Sequence, residues 1–145
     1  LLGKKYALYK QQSSLRRYNP RLNTPTNGWI NWHDNSHQLI SLINSFDSPY
    51  SGASTYLNKK RVYIKKAQLH GGEIHNHPFM AGIVFRKNKN WIVISTSDEN
   101  SIIIEEVLNE KGKNIINLVK EGDRFYTTPK KILSSRSLRV KYKLK

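Results

Sequence analysis

A mainly β domain, built as a small open barrel of the Greek-key or oligonucleotide-binding kind with one amphipathic helix, is the fold class the sequence predicts. Three observations predict it. Short β-type runs recur beyond Pro49 with turn residues between them. The run Trp91-Ile92-Val93-Ile94 is apolar at every position, as in strands covered on both sides or in a tightly curled sheet. Helical periodicity is confined to one convincing segment, where positions 36, 39, 40, 43 and 46 fall on one face.

That segment predicts a helix from about Asn35 to Phe46. Asp34, Asn35 or Ser36 is available as N-cap. Asp47-Ser48-Pro49 should stop the helix, because the residue before a proline disfavours helical backbone. A strand is expected near Ser54–Leu57, a turn at Asn58-Lys59-Lys60 and a strong strand over Arg61–Leu69. Gly82–Lys87 and Trp91–Thr96 flank Asn88-Lys89-Asn90, a hairpin signal. Ser101–Leu108 follows the turn Ser97-Asp98-Glu99-Asn100, and a short element around Ile115, Ile116, Leu118 and Val119 comes after it. The would-be strand Ser137–Leu144 puts Arg139, Lys141 and Lys143 on one side. A lysine-blunted edge strand has the same pattern.

Residues 1–27 read as a basic arm or linker, residues 28–128 as the barrel, and residues 129–145 as a basic tail. The start, Leu1-Leu2-Gly3-Lys4-Lys5, has neither an initiator Met nor a signal-peptide core and reads as the start of a fragment. No apolar run reaches the roughly 18 residues a spanning helix needs, so no membrane partner is expected. The chain has no cysteine, which excludes disulfides, thiolate metal sites and a cysteine nucleophile. A cytoplasmic location is expected.

Charge is the strongest compositional signal. Of 145 residues, 25 are Lys or Arg and 10 are Asp or Glu, a formal net charge of +15. Such a field attracts polyanions, tRNA among them, although a Lys-rich composition that only keeps a domain soluble looks the same. The candidate polyanion residues are Lys59, Lys60, Arg61, Lys65 and Lys66, with Arg136, Arg139, Lys141 and Lys143 in the tail.

Chemistry is scarce by comparison. His70, His75 and His77 with Glu73 match no standard zinc spacing and read as a polar loop; His33 and His37 lack a third ligand. There is no nucleophile elbow and no phosphate-binding glycine loop. Adjacent Glu105 and Glu106 should face opposite sides of a strand and make a poor acid–base pair. No catalytic, cofactor-binding or metal residue is therefore assigned.

One block is more specific. Gly28-Trp29-Ile30-Asn31-Trp32, the helix, Ser48-Pro49-Tyr50-Ser51-Gly52-Ala53 and the strand Lys60–Ala67 together resemble the C-terminal domain of the folate-dependent formyltransferases. Ala81-Gly82-Ile83-Val84 and Ile102–Val107 resemble later strands of that family, so the likeness covers roughly residues 17–128. The resemblance implies a six-stranded open barrel that follows a catalytic domain of the same protein. It places the catalytic residues and N10-formyltetrahydrofolate in that preceding domain, and it makes this chain no enzyme by itself.

Two branches of the family differ in their formyl acceptor. The methionyl-tRNA enzyme carries Ile-Arg-Ala where this chain has Ile43-Asn44-Ser45, and Pro-Gly-Ala where it has Ser51-Gly52-Ala53. Tyr18–Leu22 and Gly122–Pro129 resemble the sugar N-formyltransferase-like branch, whose acceptor is an amino sugar linked to a nucleotide. Three roles follow as expectations: an accessory domain, a nucleic-acid-binding module, or an assembly module forming a homodimer. The last would bury Trp29, Trp32 or the arm tyrosines against a partner.

Overall fold

A computed structural model describes residues 9–10, 12–17, 19, 21–73 and 77–137. The chain is mainly β: one six-strand antiparallel sheet, curled into a half-barrel, with a few short helices. The strands are β1 (Ala53–Leu57), β2 (Lys60–His70), β3 (Val84–Lys87), β4 (Ile92–Ser95), β5 (Ser101–Leu108) and β6 (Phe125–Tyr126). Their order in the sheet is β3-β4-β5-β2-β1-β6. Three consecutive strands lie side by side and β2 returns beside the last of them, which is a Greek-key arrangement.

The main helix, α2 (Ser36–Ser45), forms where periodicity places it. Asn35 is the N-cap: its side chain accepts from the Gln38 amide, and the Gln38 side chain accepts from the Asn35 amide, a complete capping box. Leu39, Ile43 and Phe46 are buried in the barrel interior with Ile64, Ile92, Ile94, Ile102, Ile104, Val107 and Phe125. All four residues of β4 are buried, in keeping with its uninterrupted apolar run.

The barrel bends at one place along β2 and β5. Buried Ile64 pairs with buried Val107, and buried Ala67 pairs with buried Ile104. The inward phase therefore slips on both strands between these two pairs, and Lys66 sits there at φ 55. Glu105 and Glu106 occupy the same bend. The strict alternation expected of them fails, because both are half-buried: Glu105 accepts from Gln68 Nε2 and Glu106 pairs with Lys66.

β1 ends its pairing with β2 at Ala53↔Ile64. Beyond that point Asn44 of α2 takes over the vacant edge. Its Oδ1 accepts from the Ala67 amide at 3.2 Å and its Nδ2 donates to the Ala67 carbonyl at 3.1 Å, as a neighbouring peptide group would. Asp47 Oδ2 accepts from the Lys66 amide at 3.0 Å. Asn44→Ala leaves a partly buried amide and carbonyl unpaired. It should lower stability by about 1–3 kcal/mol in urea titration with an unchanged m-value.

The two outer strands meet at a seam. The Gly122 amide donates to the Val84 carbonyl at 2.7 Å, the Val84 amide to the Asp123 carbonyl at 2.9 Å, and the Phe125 amide to the Gly82 carbonyl at 2.8 Å. Gly82 stands at φ +84, and a Cβ there would overlap the Phe125 carbonyl oxygen. Trp32 lies beside the seam, stacked on Phe125 at 5.7 Å, with Nε1 donating to Thr55 Oγ1 at 3.0 Å.

Two helices depart from expectation. Within the presumed arm, Asn23 caps a single turn, α1 (Thr24–Asn27), with Pro25 in its first positions. Within the presumed tail, residues 129–137 form α3 (Pro129–Ser137). Thr128 starts it, accepting from the Lys131 amide on Oγ1 at 3.3 Å. α3 packs on α1, where Asn27 Nδ2 donates to the Ser135 carbonyl at 2.9 Å. The proposed strand from Ser137 begins with the last residue of α3, and its remaining residues lie outside the described ones.

Candidate functional site

The β1–β2 hairpin places cations where they can be met from solvent. Asn58 and Lys59 both have positive φ, 49 and 65. This is the backbone of a type I′ two-residue turn, the turn whose twist matches the flanking strands. The loop from Asn109 to Ile115 comes up beside the hairpin. Between them lies a groove of about 580 Å³ lined by Tyr56, Lys59, Lys60, Arg61, Val62, Asn109, Glu110, Lys111 and Ile115. Asn109 shapes its far wall, its Oδ1 accepting from the Lys111 and Lys113 amides at 3.0 Å each.

The candidate cations separate into distinct environments. Lys59 and Lys60 are exposed, and none of the ion pairs among the described residues involves them. Lys111 is exposed and equally outside those pairs, although the sequence did not single it out. Arg61 lies on the groove wall, but its guanidinium turns to the protein. It stands 4.5 Å over Trp29 and 5.0 Å over Tyr63, and Nη2 donates to Ser54 Oγ at 2.9 Å and to the Pro25 carbonyl at 3.0 Å. Its charge is spent locking α1 and Trp29 onto the sheet.

Lys65 is 8% exposed, with Nζ donating to Ser48 Oγ at 3.1 Å and lying 3.8 Å from Asp47 Oδ1. Burial pushes the Asp47 carboxyl up. The amides of Ser48 and Lys66, the charge of Lys65 and the Ser48 hydroxyl outweigh it, and the net shift is downward. Lys66 pairs with Glu106, whose hydrogen bond raises the lysine above its ordinary value. Arg136, on α3, faces Asp34 at 3.5 Å. Arg139, Lys141 and Lys143 lie outside the described residues. Among the described candidates, Arg61, Lys65, Lys66 and Arg136 are engaged with the protein, whereas Lys59 and Lys60 line one groove together with Lys111.

Trp29 and Trp32, expected to be buried against a partner in the assembly reading, are each 4% exposed within the chain itself. Lys131 of α3 lies 4.8 Å over the Trp29 ring, and Tyr56 packs on it at 5.2 Å. The arm's Tyr9 is 90% exposed, whereas Tyr6 and Tyr18 lie outside the described residues.

The histidine loop has structural partners. His70 Nε2 lies 2.6 Å from Glu73 Oε1, and Arg86 of β3 clasps the same carboxylate with both terminal nitrogens. The hydrogen bonds from Arg86, then from His70, hold Glu73 at about 2. His77 Nδ1 accepts from the Phe79 amide at 3.1 Å. His75 lies outside the described residues. Among the described residues no three His, Asp or Glu side chains gather as they would around a metal ion.

Fold and groove together define a small antiparallel barrel domain with one local basic recess. The sequence profile of the formyl transferase C-terminal domain matches residues 23–120, more than half of the chain. The chain belongs to that family. The matched span includes α1, α2 and strands β1 to β5, whereas the seam residues Gly122–Phe125 and the whole of α3 lie beyond it. No helix among the described residues is long and apolar enough to cross a membrane.

Proposed function

We propose that this chain is the non-catalytic accessory domain of a formyltransferase whose acceptor is the amine of a nucleotide-linked amino sugar. In this reading the catalytic domain of the same parent binds N10-formyltetrahydrofolate, which carries the formyl group. No residue of the barrel is assigned to the folate. Family membership supports the domain's identity.

The observation favouring a sugar-type parent is Asn44. The methionyl-tRNA branch is expected to carry an arginine at this place in the helix, and here the side chain is bound at both ends to Ala67 of β2. The position serves the sheet rather than a polyanion. Gly122–Pro129, the other segment of sugar-type character, supplies the seam and the start of α3. The alternative parent is a methionyl-tRNA formyltransferase, or the chain is a stand-alone nucleic-acid-binding module; the net charge of +15 favours that side.

The test is formyl transfer from N10-formyltetrahydrofolate to amino-sugar nucleotides and to charged initiator tRNA. It is measured with the chain alone and with the parent polypeptide. The chain alone should give no turnover, and the parent should formylate the sugar nucleotide. Turnover by the chain alone would remove the accessory assignment, and transfer only to methionyl-tRNA would exchange the sugar-type parent for the tRNA type.

A further inference from the structure

We infer that the groove between the β1–β2 hairpin and the Asn109–Ile115 loop is a binding site for the diphosphate of a nucleotide-sized ligand.

The hairpin turn carries the first observation. Both central residues of a type I′ turn need positive φ, and the second strongly favours glycine. Asn58 tolerates this backbone well, but Lys59, at φ 65, does not. Lys66, the other lysine at positive φ, has a structural reason for its place: its amide is held by Asp47 and its ammonium by Glu106. Among the described residues Lys59 has no ion-pair partner and its side chain no hydrogen bond to the protein, and it lines the groove. Strain retained without a structural return at a solvent-facing cation is the kind that marks a ligand site.

The second observation is how the charge is distributed. Lys65, Lys66 and Arg61 are engaged with the protein, so β2 offers no open row of charge of the kind a long polyanion follows, whereas Lys59, Lys60 and Lys111 are exposed and outside the ion pairs among the described residues. They converge from two loops, about 50 positions apart in sequence, on one recess: Lys59 and Lys60 on one side, Lys111 on the other. Glu110 is the single acid in the lining. Three ammonium groups against one carboxylate suit a diphosphate, which they can meet as point charges.

Size is the third. A groove of about 580 Å³ falls in the range of small-ligand sites and holds one nucleotide rather than a run of them. Half-buried Tyr56, with Val62 and Ile115, adds apolar surface to the lining beside the cations. The anion site rests on this geometry. The choice of a nucleoside diphosphate as its ligand rests also on the sugar-nucleotide reading above.

The test is amide chemical-shift titration of the 145-residue chain with UDP, with inorganic pyrophosphate and with single-stranded oligonucleotide at two salt concentrations. UDP should shift the amides of residues 58–61 and 109–111, and pyrophosphate the same amides more weakly. Lys59→Gly should weaken UDP binding about five- to tenfold, as should Lys111→Met. Lys59→Gly should also raise the melting temperature by roughly 2–6 °C, so lost binding cannot come from unfolding. Lys120→Met, away from the groove, should change neither.

Absence of groove shifts with UDP and pyrophosphate would overturn the site. Shifts with oligonucleotide alone would overturn the ligand class. Shifts by pyrophosphate as strong as by UDP would overturn the nucleotide. The readout is binding to this chain, so its failure is separate from failure of the acceptor assay.

Discussion

Gly82→Ala is expected to destabilise the domain by about 3 kcal/mol or more, enough to unfold a marginal barrel. The methyl group meets backbone rather than a side chain, because the Phe125 carbonyl occupies the space. The residue is also in the left-handed region, at φ +84, where a Cβ costs about 1 kcal/mol by itself. Neither strand can move aside cheaply. The Gly82 amide donates to the Ser95 carbonyl at 2.9 Å on one side, and its carbonyl accepts from the Phe125 amide on the other. Gly112 is the internal control: it stands at φ +75 with nothing within 4 Å of a Cβ, so Gly112→Ala should cost only about 1 kcal/mol. Urea titrations followed by tryptophan fluorescence compare the two, since Trp32 stacks on Phe125 at the seam. Equal losses would show that the close approach at Gly82 is not what holds the seam.

Asp98→Ala is expected to cost about 2–3 kcal/mol at neutral pH, and the cost should fade in acid. Asp98 belongs to the turn between β4 and β5, yet it binds the start of α2. Its Oδ2 accepts from the Ser36 amide at 2.9 Å and from the Ser36 hydroxyl at 2.8 Å. Its Oδ1 accepts from the Thr96 hydroxyl and, at 3.1 Å, from the Asn100 amide. A carboxylate at a helix N-terminus also meets the favourable end of the helix dipole.

Burial pushes the Asp98 carboxyl up, but the hydrogen bonds from Thr96, from the Ser36 amide and hydroxyl and from Asn100 outweigh it and hold the group at about 2, below the ordinary 3.8. A folded-state pKa below the unfolded value means the contribution is complete above about pH 4 and is lost as pH falls toward about 2. Thermal melts of the parent chain and the variant between pH 7 and 2 should therefore converge at the acid end. A gap that stays constant would mean the loss comes from packing and not from charge.

Much of this architecture is legible in the sequence because it follows local rules. The apolar spacing of Leu39, Ile43 and Phe46 gives α2, and the apolar run of β4 gives a strand buried on both faces. What escapes is held by contacts distant in sequence. β6 has two residues and exists because β1 lies beside it; no periodicity can be read from two positions. α3 contains three serines, Ser134, Ser135 and Ser137, and presents Leu133 to solvent. Its helical state leans on Asn27 and Trp29, although Thr128-Pro129 was a readable start signal.

The groove follows the same division. A cationic turn at Asn58-Lys59-Lys60 is readable as such. That Lys65 turns inward is not, because the phase slip at the Lys66 bend depends on β5. Lys111 belongs to a polar turn with no signal of its own, and it joins the site through the Asn109 loop.

The curled sheet has a consequence for how this domain can meet others. Among the described residues, the outer side of β3 is taken by Gly122–Phe125, that of β1 by Gly28–Ile30 and β6, and the far end of β2 by Asn44 and Asp47. Little backbone is left to accept an added strand from another chain. Recognition by this domain therefore has to run through its turns and side chains. Changes in specificity can then accumulate in the hairpin and loops while the hydrogen-bonded wall stays as it is.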